Sequence, residues 1–231
     1  MALRLSGLAA GYGPKTVVSE VSFALEPGQI LAFLGHNGAG KTTTLKAIMG
    51  LLPLRGGEVQ FDGKPLHRMG VADQVALGLR LLPEGRGIFP DLSVEENIDV
   101  VAARNVEPRA MFNIPDVYKL FPVLEERRTT RAGSLSGGQQ QMLAMSLAIL
   151  GTPRCLLLDK PSIGLAPNLV ERMFEQVRDV CKSHAMTAVL VEQNVAAAMK
   201  IADRVIIMNN GQIVFDGLQD EARVSDFWSY F

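Results

Sequence analysis

Two kinds of hydrophobic pattern alternate near the start of the chain. Residues 16–25, TVVSEVSFAL, alternate apolar and polar side chains, which is typical of a half-buried strand. Residues 29–35, QILAFLG, form a short apolar run that predicts a buried strand, and residues 41–52, KTTTLKAIMGLL, have the apolar spacing of a helix. This order predicts a βα unit.

The middle of the chain has a different pattern. Residues 57–63, GEVQFDG, predict one more short strand, and the stretch from about Val71 to Ala132 has mostly helical spacing, interrupted by EGRGIFP, NVEPR and NIPD. We therefore predict a single domain over residues 1–231, with a core made of 1–70 and 135–231 and an inserted helical lobe over about 71–134.

Alternation of strands and helices returns after this lobe. The predicted elements are a helix from Ser136 to Leu150, a strand from Cys155 to Leu158, a helix from Asn168 to Cys181, a strand at AVLVE, a helix from Val195 to Ile201, and the strand pair RVIIM and QIVFDG. Such alternation predicts an α/β fold with a mostly parallel sheet covered by helices on both faces.

Composition limits the expected binding partners, membrane spans and disulfide bonds of the chain. The chain has 231 residues, 48% of them hydrophobic, and a formal net charge of -1, so it has no overall basic field and nucleic acid is not an expected partner. No signal pattern follows Met1 and no apolar run approaches the ~20 residues of a membrane span, so we expect a soluble chain. Cys155 and Cys181 are expected to be small buried side chains rather than a disulfide.

The clearest chemical motif is LGHNGAGKTT, residues 34–43, which matches G-x-x-x-x-G-K-T. Its glycines let backbone N–H groups surround phosphate oxygens at the positive end of a helix, and the lysine reaches the terminal phosphates. The predicted ATP-binding residues of this loop are Gly35, His36, Asn37, Gly38, Ala39, Gly40, Lys41, Thr42 and Thr43.

An aspartate closes the buried run that starts at Cys155. A buried carboxylate is costly unless something there needs its charge. We predict that Asp159 and the Thr42 hydroxyl hold Mg²⁺ for a bound nucleotide.

A second phosphate-binding helix start lies about twenty residues before Asp159, in LSGGQQQ. A P-loop, this motif and an acidic strand end, in that order, resemble the ATP-binding cassette of ABC transporters along essentially the whole chain. The resemblance implies a P-loop NTPase core with a mostly parallel sheet, an antiparallel β subdomain and an inserted helical lobe. It also implies a head-to-tail dimer of cassettes, in which the signature completes the partner's site with Ser136, Gly137, Gly138 and Gln139.

By the same resemblance, Tyr12 stacks on adenine; the alternative is an aromatic side chain that packs at a turn.

Four longer segments resemble a narrower group, the second ATPase subunit of bacterial branched-chain amino-acid importers, with urea and amide importers as close relatives. These segments are PEGRGIFPDLSVEEN, DVYKLFPVLEERR, PSIGLAPNLV and LVEQNVAAAMKIADR. Glu84 then stands at the Q-loop position and Gln193 at the position of the switch histidine, as is common in that group. The resemblance implies a second cassette, two membrane permeases, indirectly a periplasmic solute-binding protein, and a peripheral location on the cytoplasmic face of the inner membrane.

Lys160 departs from the resemblance, because nearly all active cassettes have a glutamate there that polarises the attacking water. An ammonium group offers three donors and no acceptor, so it cannot take the proton of that water. We therefore expect a site that binds Mg-ATP and hydrolyses it slowly. A natural degenerate site and an introduced substitution both remain open, and Leu147, where relatives usually have arginine, slightly favours the former.

Three functions are compatible with these motifs: an importer's ATPase subunit, a soluble cassette ATPase of DNA repair or translation, and a nucleotide-dependent regulatory module without turnover. The fused second cassette of translation-type members and the long coiled-coil insertion of repair-type members are not seen in this sequence. Lys160 keeps the regulatory alternative open.

Two apolar segments are candidate contact surfaces. The segment from Glu84 to about Asn97 contains GIFPDL and either contacts a short helix of a membrane partner or closes the core of the lobe with Ile88, Phe89 and Leu92. The terminal FWSYF is expected to pack on the domain, with a subunit contact as the alternative.

Overall fold

The computed structural model describes residues 2–85, 87–104 and 110–224. The strands are β1 (Leu3–Tyr12), β2 (Lys15–Leu25), β3 (Ile30–Leu34), β4 (Leu54–Phe61), β5 (Lys64–Pro65), β6 (Leu79–Leu82), β7 (Cys155–Asp159), β8 (Thr187–Val191), β9 (Arg204–Asn209) and β10 (Gln212–Leu218). The α-helices are α1 (Lys41–Ile48), α2 (Val71–Ala76), α3 (Val94–Ala102), α4 (Ile114–Leu120), α5 (Pro122–Glu126), α6 (Gly137–Ile149), α7 (Pro167–Ser183), α8 (Val195–Ile201) and α9 (Gln219–Val224).

The larger sheet has the strand order β10-β9-β3-β8-β7-β6, and all of its pairings are parallel except that of β10 with β9. Every residue of β3, β7 and β8 is buried, as expected when helices cover both faces of a parallel sheet. The predicted α/β class with a mostly parallel sheet is confirmed.

Alternate side chains of this sheet pack into two separate apolar cores. Leu156 and Leu158 of β7 belong to one core, together with the buried residues of α6 and α7. Cys155 and Leu157 point to the opposite face and pack with α1 and the strands of the smaller sheet. Both cysteines are free and buried, as predicted.

The smaller sheet is antiparallel, with the order β2-β1-β4-β5. Its longest pairing involves β1, to which we assigned no strand from the sequence. Register shifts between Leu5 and Leu8 and between Leu8 and Ala10 break the simple alternation of side chains. The glycine and alanine content of this strand also weakens the β signal.

The stretch that we interpreted as an inserted helical lobe contains a core strand. β6 lies within residues 71–134 but pairs in parallel with β7 at the edge of the large sheet, so the helical interpretation was wrong for these four residues. Four residues are too few to distinguish a strand from a helix by periodicity, and pairing with β7 decides the outcome. The division into core and lobe otherwise stays a prediction.

Among the residues that the structure describes, no helix is both long enough and apolar enough to cross a membrane. The terminal FWSYF lies outside the described residues.

Candidate functional site

The carboxyl ends of β3, β7 and β8 meet at one edge of the large sheet because these strands are parallel neighbours. The loop after β3 carries residues 35–40 and leads into α1, the loop after β7 begins with Lys160, and the loop after β8 carries Gln193. Ligands of open α/β sheets bind at this edge. The topology therefore gathers three of the predicted segments around one place.

Two glycines of the first loop have backbone conformations and surroundings that exclude a side chain. Gly35 has φ +142°, and a Cβ there would lie 2.2 Å from the carbonyl oxygen of Met208. Gly40 has φ +109°, and its Cβ would lie 2.5 Å from Cγ1 of Val18. The loop can thus wrap closely around a ligand, with the N-terminus of α1 at its end.

Lys41 is the first residue of α1 and is buried at 4% exposure. Its Nζ donates hydrogen bonds to the carbonyl oxygens of Gly35 at 2.6 Å and His36 at 2.9 Å, so the ammonium points back into the loop. Burial, followed by repulsion from Lys160, lowers the pKa of Lys41 to about 8, against the opposing attraction of Asp159 and Glu84.

Thr42 and Asp159 come together across the mouth of the loop. The Thr42 hydroxyl donates to Oδ1 of Asp159 at 3.1 Å, and Asp159 is only 3% exposed. Burial raises the pKa of Asp159, although the hydrogen bond from Thr42 opposes the rise. A hydroxyl and a carboxylate oxygen at this distance suit Mg²⁺, which prefers oxygen ligands and would favour the charged carboxylate. Their role as metal ligands stays a prediction.

Lys160 forms an ion pair with Glu84, with Nζ 2.9 Å from Oε1. The Lys160 side chain is 13% exposed and that of Glu84 is 48% exposed, so the pair lies at the rim of the site. The backbone of Lys160 has φ +51°, a left-handed conformation, and its N–H donates to the carbonyl of Val191 at 2.8 Å. The side chain therefore turns from the end of β7 toward the loop after β6.

Gln193 contacts the first loop directly. Its Nε2 donates to Oδ1 of Asn37 at 2.8 Å, and the neighbouring His36 shares a hydrogen bond of 3.0 Å between Nε2 and Oδ1 of Asn209. Gln193, which is predicted to stand at the switch position, thus contacts the loop that is predicted to hold phosphates.

The predicted signature residues begin α6 and form a capping box. Ser136 Oγ accepts from the Gln139 N–H at 3.3 Å, and Gln139 Oε1 accepts from the Ser136 N–H at 3.0 Å. Ser136, Gly138 and Gln139 line a groove with Phe121 and Met142, and neither Lys41 nor Asp159 lines it. In this chain, the predicted signature residues and the Lys41–Asp159 site therefore do not share this groove.

Tyr12 ends β1 and is 46% exposed, with Nζ of Lys46 5.9 Å from its ring centroid. A half-exposed ring offers one face for stacking, while the lysine contact resembles the alternative of packing at a turn. Its role toward adenine stays a prediction.

Glu192 is a polar residue at this edge that the sequence interpretation missed, because we placed it inside a strand. It directly follows β8 and is 1% exposed. The signal was available: like Asp159, it is an acid that closes a buried apolar run.

Comparison with known proteins gives consistent matches along the chain. The ABC transporter family model matches residues 18–163. The chain is 37% identical over 203 residues to BraG of Pseudomonas aeruginosa, named a high-affinity branched-chain amino acid transport ATP-binding protein, which covers 88% of this chain and 87% of BraG. It is 33% identical over 219 residues to LivF of Archaeoglobus fulgidus, named a probable branched-chain amino acid transport ATP-binding protein, with 95% and 93% covered.

A solved structure described as the ATP binding subunit of an ABC transporter superposes on this chain with a TM-score of 0.82 at 26% identity. The match covers 96% of this chain and 92% of that structure.

Proposed function

This chain belongs to the ABC transporter family as an ATP-binding subunit, and from that premise we propose that it binds Mg-ATP and powers the import of branched-chain amino acids. The proposal rests mainly on one arrangement, in which Lys41, Thr42 and Asp159 surround the end of the glycine loop. This arrangement supplies a cation for the phosphates and oxygen ligands for Mg²⁺. The names of the two relatives at 37% and 33% identity support the solute class, and urea or amide import is the alternative within the same group.

The chain's own site is proposed to hydrolyse ATP slowly. Bound Mg²⁺ would neutralise charge on the phosphates, while Lys41 and the loop amides bind and orient them. Lys160 occupies the position of the usual base, but its ammonium is already a hydrogen-bond donor to Glu84. The loss of a positioned base is worth about 10²–10⁴ in rate and leaves binding largely intact.

The transporter is proposed to contain a second cassette that differs from this one. In a head-to-tail pair, the Ser136 segment of this chain completes the partner's site. This arrangement is supported by the groove that Ser136, Gly138 and Gln139 line, because neither Lys41 nor Asp159 of the same chain lines it. One competent site, in the partner, would then drive transport. Two membrane permeases and a periplasmic solute-binding protein complete the proposed complex, which places this subunit peripherally on the cytoplasmic face of the inner membrane, with no role for nucleic acid.

A regulatory subunit without turnover is the second candidate, and Lys160 is the observation that favours it. Measurements of Mg-ATP binding by this chain, and of hydrolysis with and without its second cassette, separate the two. We expect binding by the chain alone and hydrolysis in the pair. A pair that binds ATP but never hydrolyses it would support the regulatory candidate, and a chain that binds no nucleotide would contradict both.

A further inference from the structure

The carboxylate of Glu192 joins two loops at the nucleotide-binding edge of the sheet. Its Oε1 accepts from the N–H of Ser162 at 2.8 Å, and its Oε2 accepts from the Ser162 hydroxyl at 2.7 Å. Oε2 also accepts from the N–H groups of Gln193 at 3.0 Å and Asn194 at 3.3 Å. One side chain thus binds the loop after β7 and the loop after β8 together.

Burial makes this contact unusual for a glutamate. The residue is 1% exposed, and all four of these donors are neutral groups. A buried carboxylate is costly, and it is tolerated here because hydrogen bonds to an ionised acceptor are about twice as strong as neutral ones. Simple packing at this position would be served better by an apolar side chain.

The two joined loops carry the residues that face the predicted phosphates. Ser162 lies two positions after Lys160, whose left-handed backbone is further tied to β8 through Val191. Gln193 reaches Asn37 of the glycine loop with its side chain. A group that fixes the backbone of Ser162 and Gln193 together therefore sets where Lys160 and the Gln193 amide point.

We propose that Glu192 is a positioning residue that fixes Gln193 and the Lys160–Ser162 segment relative to each other at the nucleotide site, so that the Gln193 amide contacts the γ-phosphate. This inference rests on the proposed function. The direct consequence is that Glu192, acting through Gln193, helps the chain to prefer ATP over ADP.

Glu192→Gln tests the carboxylate with little change in volume. If the amide oxygen of the new glutamine takes the place of Oε2, its NH₂ group takes the place of Oε1 and faces the Ser162 N–H. If the oxygen takes the place of Oε1 instead, the NH₂ group faces the N–H groups of Gln193 and Asn194. Either orientation sets donor against donor, so one loop is released. Ser162→Ala removes only the hydroxyl contact and leaves the amide contacts in place.

The measurement is the ratio of the Kd for Mg-ADP to the Kd for Mg-ATP in the full chain. We expect Glu192→Gln to lower this ratio about 5- to 10-fold, near the ratio of Gln193→Ala, with the ADP affinity changed by less than about twofold. The double variant Glu192→Gln/Gln193→Ala should fall no lower than Gln193→Ala alone, because both changes remove the same contact. Ser162→Ala should give a smaller decrease and Ser162→Thr none.

Asp203→Asn is the matched control. Asp203 also accepts a backbone N–H with its carboxylate, that of Ile30 at 2.8 Å, but at the opposite end of the parallel strands. A general loss of sheet stability would affect this variant as well, so its ADP/ATP ratio should stay unchanged while its thermal stability falls.

The other possible outcomes either overturn the inference or contradict the proposed function. An unchanged ratio in Glu192→Gln, or a decrease that adds fully to that of Gln193→Ala, overturns the inference. If Glu192→Gln does not fold, Ser162→Ala carries the test, and an unchanged ratio there overturns it equally. An unaltered chain that binds ATP and ADP equally well overturns the inference alone, whereas one that binds neither contradicts the proposed function.

Discussion

Nζ of Lys160 lies 2.9 Å from Oε1 of Glu84 and links the end of β7 to the loop that follows β6. The resemblance to ABC cassettes predicts that both residues stand at positions where most cassettes have other side chains, and here they form an ion pair. Glutamate at position 160 would instead place a second carboxylate beside Glu84. We therefore predict that the charge at this position affects both hydrolysis and the contact with the loop after β6.

Lys160→Glu should raise hydrolysis at this chain's site about 10²- to 10⁴-fold, because it restores an acceptor for the proton of the attacking water. ATP affinity should change much less and, if anything, fall slightly. The assay uses a partner cassette whose own site is disabled. Lys160→Gln removes the cation without adding a base and should give no such rise; an unaltered rate in Lys160→Glu would show that another feature limits turnover.

The double variant Lys160→Glu/Glu84→Gln should hydrolyse ATP at least as fast as Lys160→Glu, since it removes the facing carboxylate. A double variant slower than the single one would mean that Glu84 itself contributes to turnover.

ATP affinity should be nearly flat below about pH 8 and fall up to tenfold per pH unit above it. The pKa of Lys41 in the free protein is lowered to about 8, whereas bound phosphates would favour its charged form. Above that pH, binding must therefore take up a proton. The check is the Kd for Mg-ATP as a function of pH.

Two variants control for this pH effect. Lys160→Gln removes a charge that lowers the pKa of Lys41, so the pH at which ATP affinity begins to fall, here called the break, should be higher. Lys41→Arg stays charged throughout and should show no break, even if it binds more weakly. If the unaltered chain and both variants show the break at the same pH, the titrating group is not Lys41.

Asp159→Asn should raise the melting temperature of the nucleotide-free chain at neutral pH and abolish stabilisation by Mg-ATP. Burial raises the pKa of Asp159 in the folded state above its value in the unfolded chain. At pH values above the folded-state pKa, the charged carboxylate therefore destabilises the fold. At pH values below the unfolded-state pKa, the group is protonated in both states and this penalty is absent. Thermal unfolding at several pH values with and without Mg-ATP measures both effects. Asp203→Asn should lower the melting temperature, because that carboxylate pairs with Lys182 at 2.7 Å; a lower value for Asp159→Asn as well would contradict the prediction.

Ser136→Ala on this chain should abolish hydrolysis at the partner's site, because the hydroxyl is predicted to reach the partner's nucleotide. The change also removes a helix cap, worth about 1 kcal/mol. Ser93→Ala removes the same kind of capping box from α3 and should leave the partner's hydrolysis unchanged. Full activity in Ser136→Ala would reject a role across the dimer, and equal losses in both variants would point to helix stability.

Phe89→Asp should prevent assembly with the permeases and leave ATP affinity unchanged. Phe89 is 48% exposed, and its backbone is held by buried Asn97, which accepts from the Phe89 N–H at 2.8 Å and donates to its carbonyl at 2.9 Å. The ring is thus presented outward on a fixed loop, whereas Ile88 packs partly against the core. Co-purification with the permeases and the Kd for Mg-ATP are the two measurements.

Val214→Asp is a suitable control, because Val214 is 43% exposed on β10 and lies in a different segment. It should leave assembly intact. Loss of both assembly and ATP affinity in Phe89→Asp would indicate a folding defect, and intact assembly would show that this ring does not contact the permeases.

Local signals were sufficient for the buried strands β3, β7 and β8, whose continuous apolar runs have no competing pattern. They were insufficient for β1, where bulges break the alternation, and for β6, where four residues carry no period. β1 also pairs with β4, and β6 pairs with β7; both partners are distant in sequence, and no local pattern contains that information.

The sequence by itself determined the family and the class of fold, and it predicted the segments that carry the chemistry, because the glycine loop, the predicted signature and the acid of β7 are short contiguous motifs. Only the tertiary structure decided which side chains meet. The pairs Thr42 with Asp159, Lys160 with Glu84 and Gln193 with Asn37 join segments 117, 76 and 156 residues apart. Parallel pairing of β3, β8, β7 and β6 brings these segments to one edge, where Glu192 accepts hydrogen bonds from four donors. Strand order is a property of the packed sheet, which the local pattern does not encode.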